Sequence, residues 1–441
     1  MIKVITYGTY DHLHYGHIRL LERAKALGDY LIVGVTADDF DRVRGKINTE
    51  QSLIERVEAV KATGIADEII IEEYEGQKID DICRYGVDIF TVGSDWVGKF
   101  DYLKEYCKVV YLPRTEGVSS SEIRSAEEHV SLGLVGGSDF LNKIIEESHY
   151  VNGLEAIGVC SSNKTCFNQQ ILGLPTVTDD YKELLDKVDA VYIKSEPSSH
   201  YALVKEALEN NKHVLCEAPF SMDVGEWNYL VQLANESHLV LLDGIKTAYS
   251  TAYNRLKLLA KSGRIGRVVS IKAVCTSLKN ENSQGKWDPI YEWGPTALLP
   301  IFQILGTEYV KKTTCVHYYD DARKHDAFTK MDFVFSNAVA SMEVANGVKS
   351  EGELIISGTK GYIIVPAPWW NTDYFEIRYE HSEENKRYFY QLDGEGIRFE
   401  LLCFLQEIKN KPMQPYVDRR VSKAICRELE EFNCKRNIIE I

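Results

Sequence analysis

A rhythm constrains this chain more than any other feature. Short, almost wholly apolar runs alternate with amphipathic helical patterns through residues 2–125, and the alternation restarts at Leu132. Strands that are apolar on both faces need cover on both sides, so each stretch predicts a parallel, doubly wound sheet. The first stretch reads KVITYG, a helix from His14 to Leu27 closed by Gly28, YLIVGVT, a helix over LIERVEAVKATG, EIIIE, KIDDICRYG, DIFTVGS, a helical stretch to Tyr106 and KVVYLP. Arg124 to Val130 reads as the tail of a last helix and the joint to a new domain. The second stretch runs from SLGLVGG to LVLLDG. From about Arg267 the pattern changes to long alternating segments such as MDFVFSNAVASMEVA and YFEIRYE, the period of antiparallel strands with one covered face. The expected fold class is α/β: a Rossmann-like domain over 1–130, a second domain of Rossmann type over 131–266, and a mostly antiparallel α+β domain over 267–441 that ends in a helix.

Length and charge narrow the function. At ~150 residues per domain, 441 residues hold two to four domains, which excludes a single small binding module. The 66 acidic against 51 basic side chains leave a formal charge of −15, so neither nucleic acid nor an anionic membrane is an expected partner. Small anions remain admissible, because a few local cations and backbone amides can hold a phosphate against the global field. The opening MIKVITYG reads as a strand rather than a leader, and no run of about 18 apolar residues follows, which implies a cytoplasmic protein. Ten cysteines lie scattered without a C-x-x-C or a zinc-type spacing, as expected of reduced, buried thiols.

Chemistry enters after the first strand. The segment GTYDHLHYGH joins a glycine turn to a helix whose first turn carries His14 and His17, three residues apart and so on one face. Amides at a helix start favour a phosphate, and two imidazoles beside it could meet one developing negative charge. Read alone, the same pair also suits a metal ion or plain solvation.

The HYGH run resembles the H-x-G-H signature of the nucleotidylyltransferases. The rest of the domain is similar to their glycerol-3-phosphate cytidylyltransferase branch, through the loop RVRGK, the stretch GSDWVGKFDYL and YLPRTEGVSSSEIR. The resemblance implies that His14 and His17 bind the nucleotide phosphates and stabilise the pentacoordinate transition state. It puts Thr9 and Tyr10 in the phosphate turn, Asp11 at the family's acidic position, and Arg44 and Lys46 in a basic loop that holds triphosphate and acceptor phosphate. Arg114 and Ser119, Ser120 and Ser121 match the closing loop, and Trp96 and Lys99 the acceptor and nucleotide wall, with packing alone as the lesser reading of Trp96. The implied reaction is in-line attack by a phosphomonoester oxygen on the α-phosphorus of CTP, with Mg2+ carried by the triphosphate. A phosphate nucleophile is already ionised, so positioning and charge neutralisation supply most of the rate.

In the second stretch, LGLVGGSDFL stands where a dinucleotide fingerprint would, with Gly136 and Gly137 present and the third glycine missing. VDAVYIKSEPSSHYALVKEALENNKHVLCEAPFS, GIKTAYSTAYNRLKLLAKSGRIGRV and GTKGYIIVPAPWW resemble the Gfo/Idh/MocA oxidoreductases. That resemblance makes Pro197, His200 and Glu217 cofactor contacts. It also exposes departures: the family's catalytic lysine is Ala218 here, Glu292 stands at an aspartate position, and Thr296 at a histidine or tyrosine position. Lys246, in the loop after LVLLD, is the candidate replacement proton donor, or else an anion-binding lysine. Tyr249 and Glu292 are weaker candidates for the same relay. Ser161 and Lys164 replace the carboxylate that would hold an NAD ribose, which favours NADPH over NADH, or else marks a site without cofactor.

Together these features imply a bifunctional enzyme. One part reduces a ketose or other carbonyl phosphate to a polyol phosphate, and the other couples that product to CMP from CTP for capsule or teichoic-acid-type synthesis, in a homo-oligomer. The alternative is a cytidylyltransferase with a non-catalytic sensor or dimerisation domain.

Overall fold

A computed structural model describes the chain except residues 38–50, 52, 75, 114–128, 279–287, 320–324, 391 and 410–415. It divides into two compact units, Met1–His129 and Val130–Ile441. In the first, strands β1 (Lys3–Gly8), β2 (Tyr30–Thr36), β3 (Glu68–Glu72), β4 (Ile89–Gly93) and β5 (Lys108–Leu112) form one sheet in the order β3-β2-β1-β4-β5. Every pairing is parallel. Both faces of β1 are covered, as its unbroken apolar run requires. Val4 packs with Leu21, Ala24 and Val60 from helices Tyr15–Lys25 and Leu53–Ala62, while Ile5 packs with Ile82 from helix Gln77–Tyr85. Gly34 makes room for Tyr7 on the adjacent strand, since a Cβ there would come within 2.2 Å of its ring. The winding reverses between β1 and β4, and in such sheets the crevice at the carboxyl ends of the two strands takes the ligand.

The second unit opens with another parallel sheet. Strands β6 (Val130–Val135), β7 (Leu154–Cys160), β8 (Thr176–Thr178), β9 (Ala190–Ile193), β10 (His213–Glu217) and β11 (Leu241–Gly244) lie in the order β11-β10-β9-β6-β7-β8, with the reversal between β6 and β9. A nine-stranded sheet follows, made of β12 (Val268–Ser277), β13 (Lys311–Tyr318), β14 (Asp326–Val334), β15 (Val339–Asn346), β16 (Leu354–Gly358), β17 (Gly361–Val365), β18 (Tyr374–Tyr379), β19 (Lys386–Phe389) and β20 (Ile438–Glu440). It is antiparallel apart from the pairs β12 with β15 and β13 with β20. Helix Pro289–Leu305 covers this sheet and contains Pro295 and Pro300. Two C-terminal helices, Ile397–Ile408 and Arg419–Asn433, stand where one was expected. They return to the parallel sheet of their own unit: Arg398 pairs with Glu147, and the Trp227 indole donates to Ser422 Oγ at 2.9 Å. Among the described residues no helix is long and apolar enough to cross a membrane.

Candidate functional site

The turn leaving β1 lies at the first point of reversal. Its backbone is left-handed at two non-glycine residues, Tyr10 (φ 55°) and His12 (φ 45°), a conformation that persists only where surrounding contacts enforce it. Those contacts come from Arg56, which is 0% exposed and donates to Thr9 O at 2.6 Å, Thr36 O at 2.9 Å and Gln51 O at 3.2 Å. Gln51 completes the clasp: its amide donates to Asp11 Oδ1 at 3.1 Å, and its side-chain oxygen accepts from the His12 amide at 2.8 Å. Sequence reasoning passed over Arg56, yet a signal was there. On a helix where Leu53, Val57 and Val60 mark one apolar stripe, position 56 belongs to that stripe, and a charge on it has partners inside.

His14 is the N-cap of helix Tyr15–Lys25, one residue before the helix proper, and its Nδ1 accepts from the Gly16 amide at 3.0 Å. An accepting Nδ1 leaves the neutral ring's proton on Nε2, where it can be donated to a phosphate oxygen. The His14 and His17 rings stack with centroids 3.9 Å apart and planes at 24°. Both are half-buried, so they retain access to solvent. Tyr10 contributes its backbone to the turn, but its ring goes under into the core, 1% exposed and edge-on to His17 at 5.6 Å. Burial pushes its phenol above the usual tyrosine range, although Thr6 pulls the other way.

The wall on the β4 side carries Trp96 and Lys99, with the ammonium 5.6 Å from the indole centroid. Thr9 and Asp11 sit within the turn, whereas Arg44, Lys46, Arg114, Ser119, Ser120 and Ser121 lie outside the described residues. Beneath the ends of β1 to β3 runs a buried polar network that sequence reasoning also missed. Lys78 pairs with Glu72, Glu72 accepts from Thr36 Oγ1 at 3.0 Å, and the Tyr7 hydroxyl donates to Asp81 at 2.9 Å. Burial first, and then the Asp81 charge, drives the Tyr7 phenol far up, so it remains a donor.

The second reversal, between β6 and β9, is framed by Gly136. A Cβ there would fall 1.8 Å from Lys194 O, and its φ is +132°, so only glycine permits this close approach. Gly137 is exposed, at the approach to helix Phe140–Ser148. Glu217 ends β10 and pairs with Lys194, which follows β9, and it also accepts from the Tyr192 hydroxyl at 3.2 Å. Pro197 begins helix Pro197–Glu209 and is buried.

His200, expected among the cofactor contacts, is 2% exposed and directs Nδ1 to Pro219 O at 2.7 Å and Nε2 to Ser195 O at 3.1 Å. It fastens two turns together, and burial lowers its pKa despite the two carbonyls. Ser161 is buried, and its hydroxyl donates to Asn163 O at 2.7 Å within its own turn, with Lys164 half-buried nearby. The Tyr249 hydroxyl bonds Asp243 O at 3.2 Å inside the core. Glu292 is exposed, but the protein around it raises its carboxyl, with Lys194 opposing and Glu217 reinforcing; Thr296 is half-buried one turn on. Lys246 reaches the crevice as the partner of Glu395, a residue that sequence reasoning did not single out and that also takes Lys143. Burial would raise Glu395, but the two ammonium groups outweigh it and hold the carboxyl at about 2.

Residues 5–126 match the family described as Cytidylyltransferase-like. Over 124 residues the chain is 51% identical to a glycerol-3-phosphate cytidylyltransferase of Bacillus spizizenii, covering 28% of this chain and 95% of that one. The chain belongs to the cytidylyltransferase-like family. A second domain follows the cytidylyltransferase: residues 130–244 match the oxidoreductase family with an NAD-binding Rossmann fold. A trans-1,2-dihydrobenzene-1,2-diol dehydrogenase of Oryctolagus cuniculus is 23% identical over 319 residues, covering 68% of this chain and 96% of its own. The oxidoreductase part also has the fold of a 3-ketoreductase from Actinomadura kijaniata solved with NADP and TDP-benzene. The TM-score is 0.61 at 16% identity, covering 71% of this chain and 99% of that one.

Proposed function

We propose that the protein is bifunctional. Its cytidylyltransferase transfers CMP from CTP to a polyol phosphate, and its oxidoreductase makes that polyol phosphate by reducing a ketose phosphate with NADPH. The observation that carries the first half is the stacked imidazole pair at the β1 turn, with Nδ1 of His14 accepting from the Gly16 amide. Two imidazoles beside a helix start can neutralise charge that develops on the α-phosphate, and little else is required because the nucleophile is a phosphate. In this reading Mg2+ enters as the counter-ion of the triphosphate.

The second half rests on the β6–β9 crevice. The close approach at Gly136 leaves backbone, without side chains, where a pyrophosphate would lie, and Ser161 and Lys164 replace the carboxylate that would repel a 2′-phosphate. The Actinomadura 3-ketoreductase, solved with NADP, supports that choice. When bound, the cofactor supplies a hydride; the chain's own groups orient the carbonyl and deliver the proton. Covalent linkage raises the local concentration of the intermediate for the second step. In this reading the protein is a cytoplasmic homo-oligomer, and the CDP-polyol feeds capsule or teichoic-acid-type assembly.

Ala218 favours a second reading, in which the oxidoreductase is a non-catalytic sensor or dimerisation unit. One experiment separates them. Purified protein is mixed with CTP, Mg2+, NADPH and a panel of ketose phosphates, and CDP adducts are sought by mass spectrometry while NADPH oxidation is followed. A CDP-polyol formed only when NADPH is present supports bifunctionality. CDP adducts from polyol phosphates alone, with no NADPH bound or oxidised, leave the transferase and remove the reductase.

A further inference from the structure

The ends of β9 and β10 carry an ion pair that the expected proton donor, Lys246, leaves unused. Ile193 lies opposite Cys216 in the parallel register, so Lys194, just past β9, and Glu217, the last residue of β10, stand side by side. Their side chains pair and are only 17% and 20% exposed. Removing two charges from water is costly, and an apolar pair would serve stability as well. A lysine and a carboxylate kept at a ligand-facing edge therefore point to chemistry.

The position is specific. The Lys194 carbonyl is the atom that Gly136 accommodates, so this lysine sits at the reversal between β6 and β9. Its ammonium lies 5.4 Å from the ring centre of Phe140, on the helix that follows the glycine turn. Facing it, helix Ile397–Ile408 contributes Glu400, 1% exposed, with Oε1 lacking a hydrogen-bond partner and within electrostatic reach of Lys194, Lys246 and Glu217. Helix Pro289–Leu305 contributes Glu292, which feels the same pair. Lys246 pairs with Glu395, which also takes Lys143.

We propose that Lys194 is the catalytic proton donor of the oxidoreductase, acting from β9 in place of the lysine absent at Ala218 on the neighbouring strand. The assignment rests on the reductase reading. In the step, the carbonyl carbon takes a hydride from the reduced nicotinamide, which leaves oxidised. The carbonyl π electrons pass to oxygen, and the Nζ–H bond of Lys194 breaks as the O–H bond of the alcohol forms. The resulting amine regains its proton from solvent by way of Glu217, a positioning residue that otherwise holds the ammonium in place.

Lys194→Arg tests this without stranding Glu217, because a guanidinium keeps the charge and the pairing but holds its proton, with a pKa above ~12. In the full-length variant, NADPH affinity by fluorescence titration stays near that of wild type. Single-turnover hydride transfer to dihydroxyacetone phosphate and the pentulose and hexulose phosphates falls by about 10²–10⁴-fold. A readout independent of turnover comes from acetylation followed by mass spectrometry. NADP+ with the ketose phosphate, a pair that cannot react, shields Lys194 but not Lys187, which pairs with Glu183 at the surface. Reduction by Lys194→Arg at the wild-type rate, or an unshielded Lys194, overturns the assignment and leaves the reductase reading standing. Wild-type protein that neither binds NADPH nor reduces any member of the panel overturns both.

Discussion

Arg56 offers the sharpest test of how the transferase turn is held. Replacing it with methionine keeps the aliphatic bulk and removes all three hydrogen bonds to the carbonyls of Thr9, Thr36 and Gln51. The site is fully buried, so water does not readily take over. A stranded buried acceptor costs about 1–3 kcal/mol, and with some relaxation at the longest of the three bonds the loss is roughly 4 kcal/mol. That is a large share of the about 5–15 kcal/mol that holds a typical domain together. For a unit of this size, calorimetry of the full-length protein should show the first unit's transition lowered by roughly 15 °C, while the second unit's transition stays in place. Below that transition, pyrophosphate release should still fall, because Thr9 and its left-handed neighbour Tyr10 lose the clasp that sets the entry to His14. Arg56→Lys, which reaches one carbonyl at best, should recover less than half of either loss. A first-unit transition within about 2 °C of wild type would refute the clasp, since even one lost bond of this kind moves it further.

His17→Ala removes one of the stacked donors and should reduce pyrophosphate release from CTP by about 10²–10³-fold, measured by a coupled phosphate assay, while NADPH binding persists. Gly136→Ala drives a Cβ to 1.8 Å from Lys194 O at a φ of +132°, so NADPH binding should weaken by at least about tenfold in a fluorescence titration; wild-type affinity would disprove the close approach. Burial, partly offset by Thr329 and reinforced by Asp288, pushes Asp326 up from 3.8 to about 7. The folded state then binds this proton more tightly than the unfolded state, so stability falls as pH rises between those two values. Asp326→Asn should flatten that slope and raise the melting temperature above pH ~7; an unchanged slope would assign it to other groups.

The two parallel sheets were legible because their strands are apolar on both faces and their helices are apolar on one, a contrast that local sequence carries by itself. Helix Pro289–Leu305 was not. Pro295 and Pro300 argue against a helix, and a segment buried on nearly every side has no polar face to mark a period. The closeness of His14 and His17 was legible in their spacing, although His14 proves to be the extended N-cap rather than a residue of the helix. What holds the pair was not, because Arg56 meets Thr9 across 47 residues of chain. The same holds in the oxidoreductase: Lys246 was visible as a lysine after a strand, but Glu395, which holds it, is 149 residues away. His200 is the converse case, a motif residue whose partners are backbone carbonyls that no sequence pattern reports.

Burial also decides which cations can serve the triphosphate. Arg56 is directed at carbonyls and Lys78 at Glu72, and both are enclosed, so neither presents its charge at the mouth of the crevice. They shape the site without neutralising the ligand. In a chain with a formal charge of −15, long-range attraction for CTP is absent, and affinity has to come from groups that touch it. In the proposed transferase, His14, His17 and the helix amides beside them are the hydrogen-bond donors, and Lys99 is an exposed cation on the opposite wall. Neutral donors contribute most where charge develops during reaction, whereas fixed cations bind substrate and transition state alike. Removing an imidazole should therefore lower kcat, and removing Lys99 should chiefly raise the KM for CTP. If Lys99→Ala instead lowered kcat at unchanged KM, this division of labour between the two walls would be wrong.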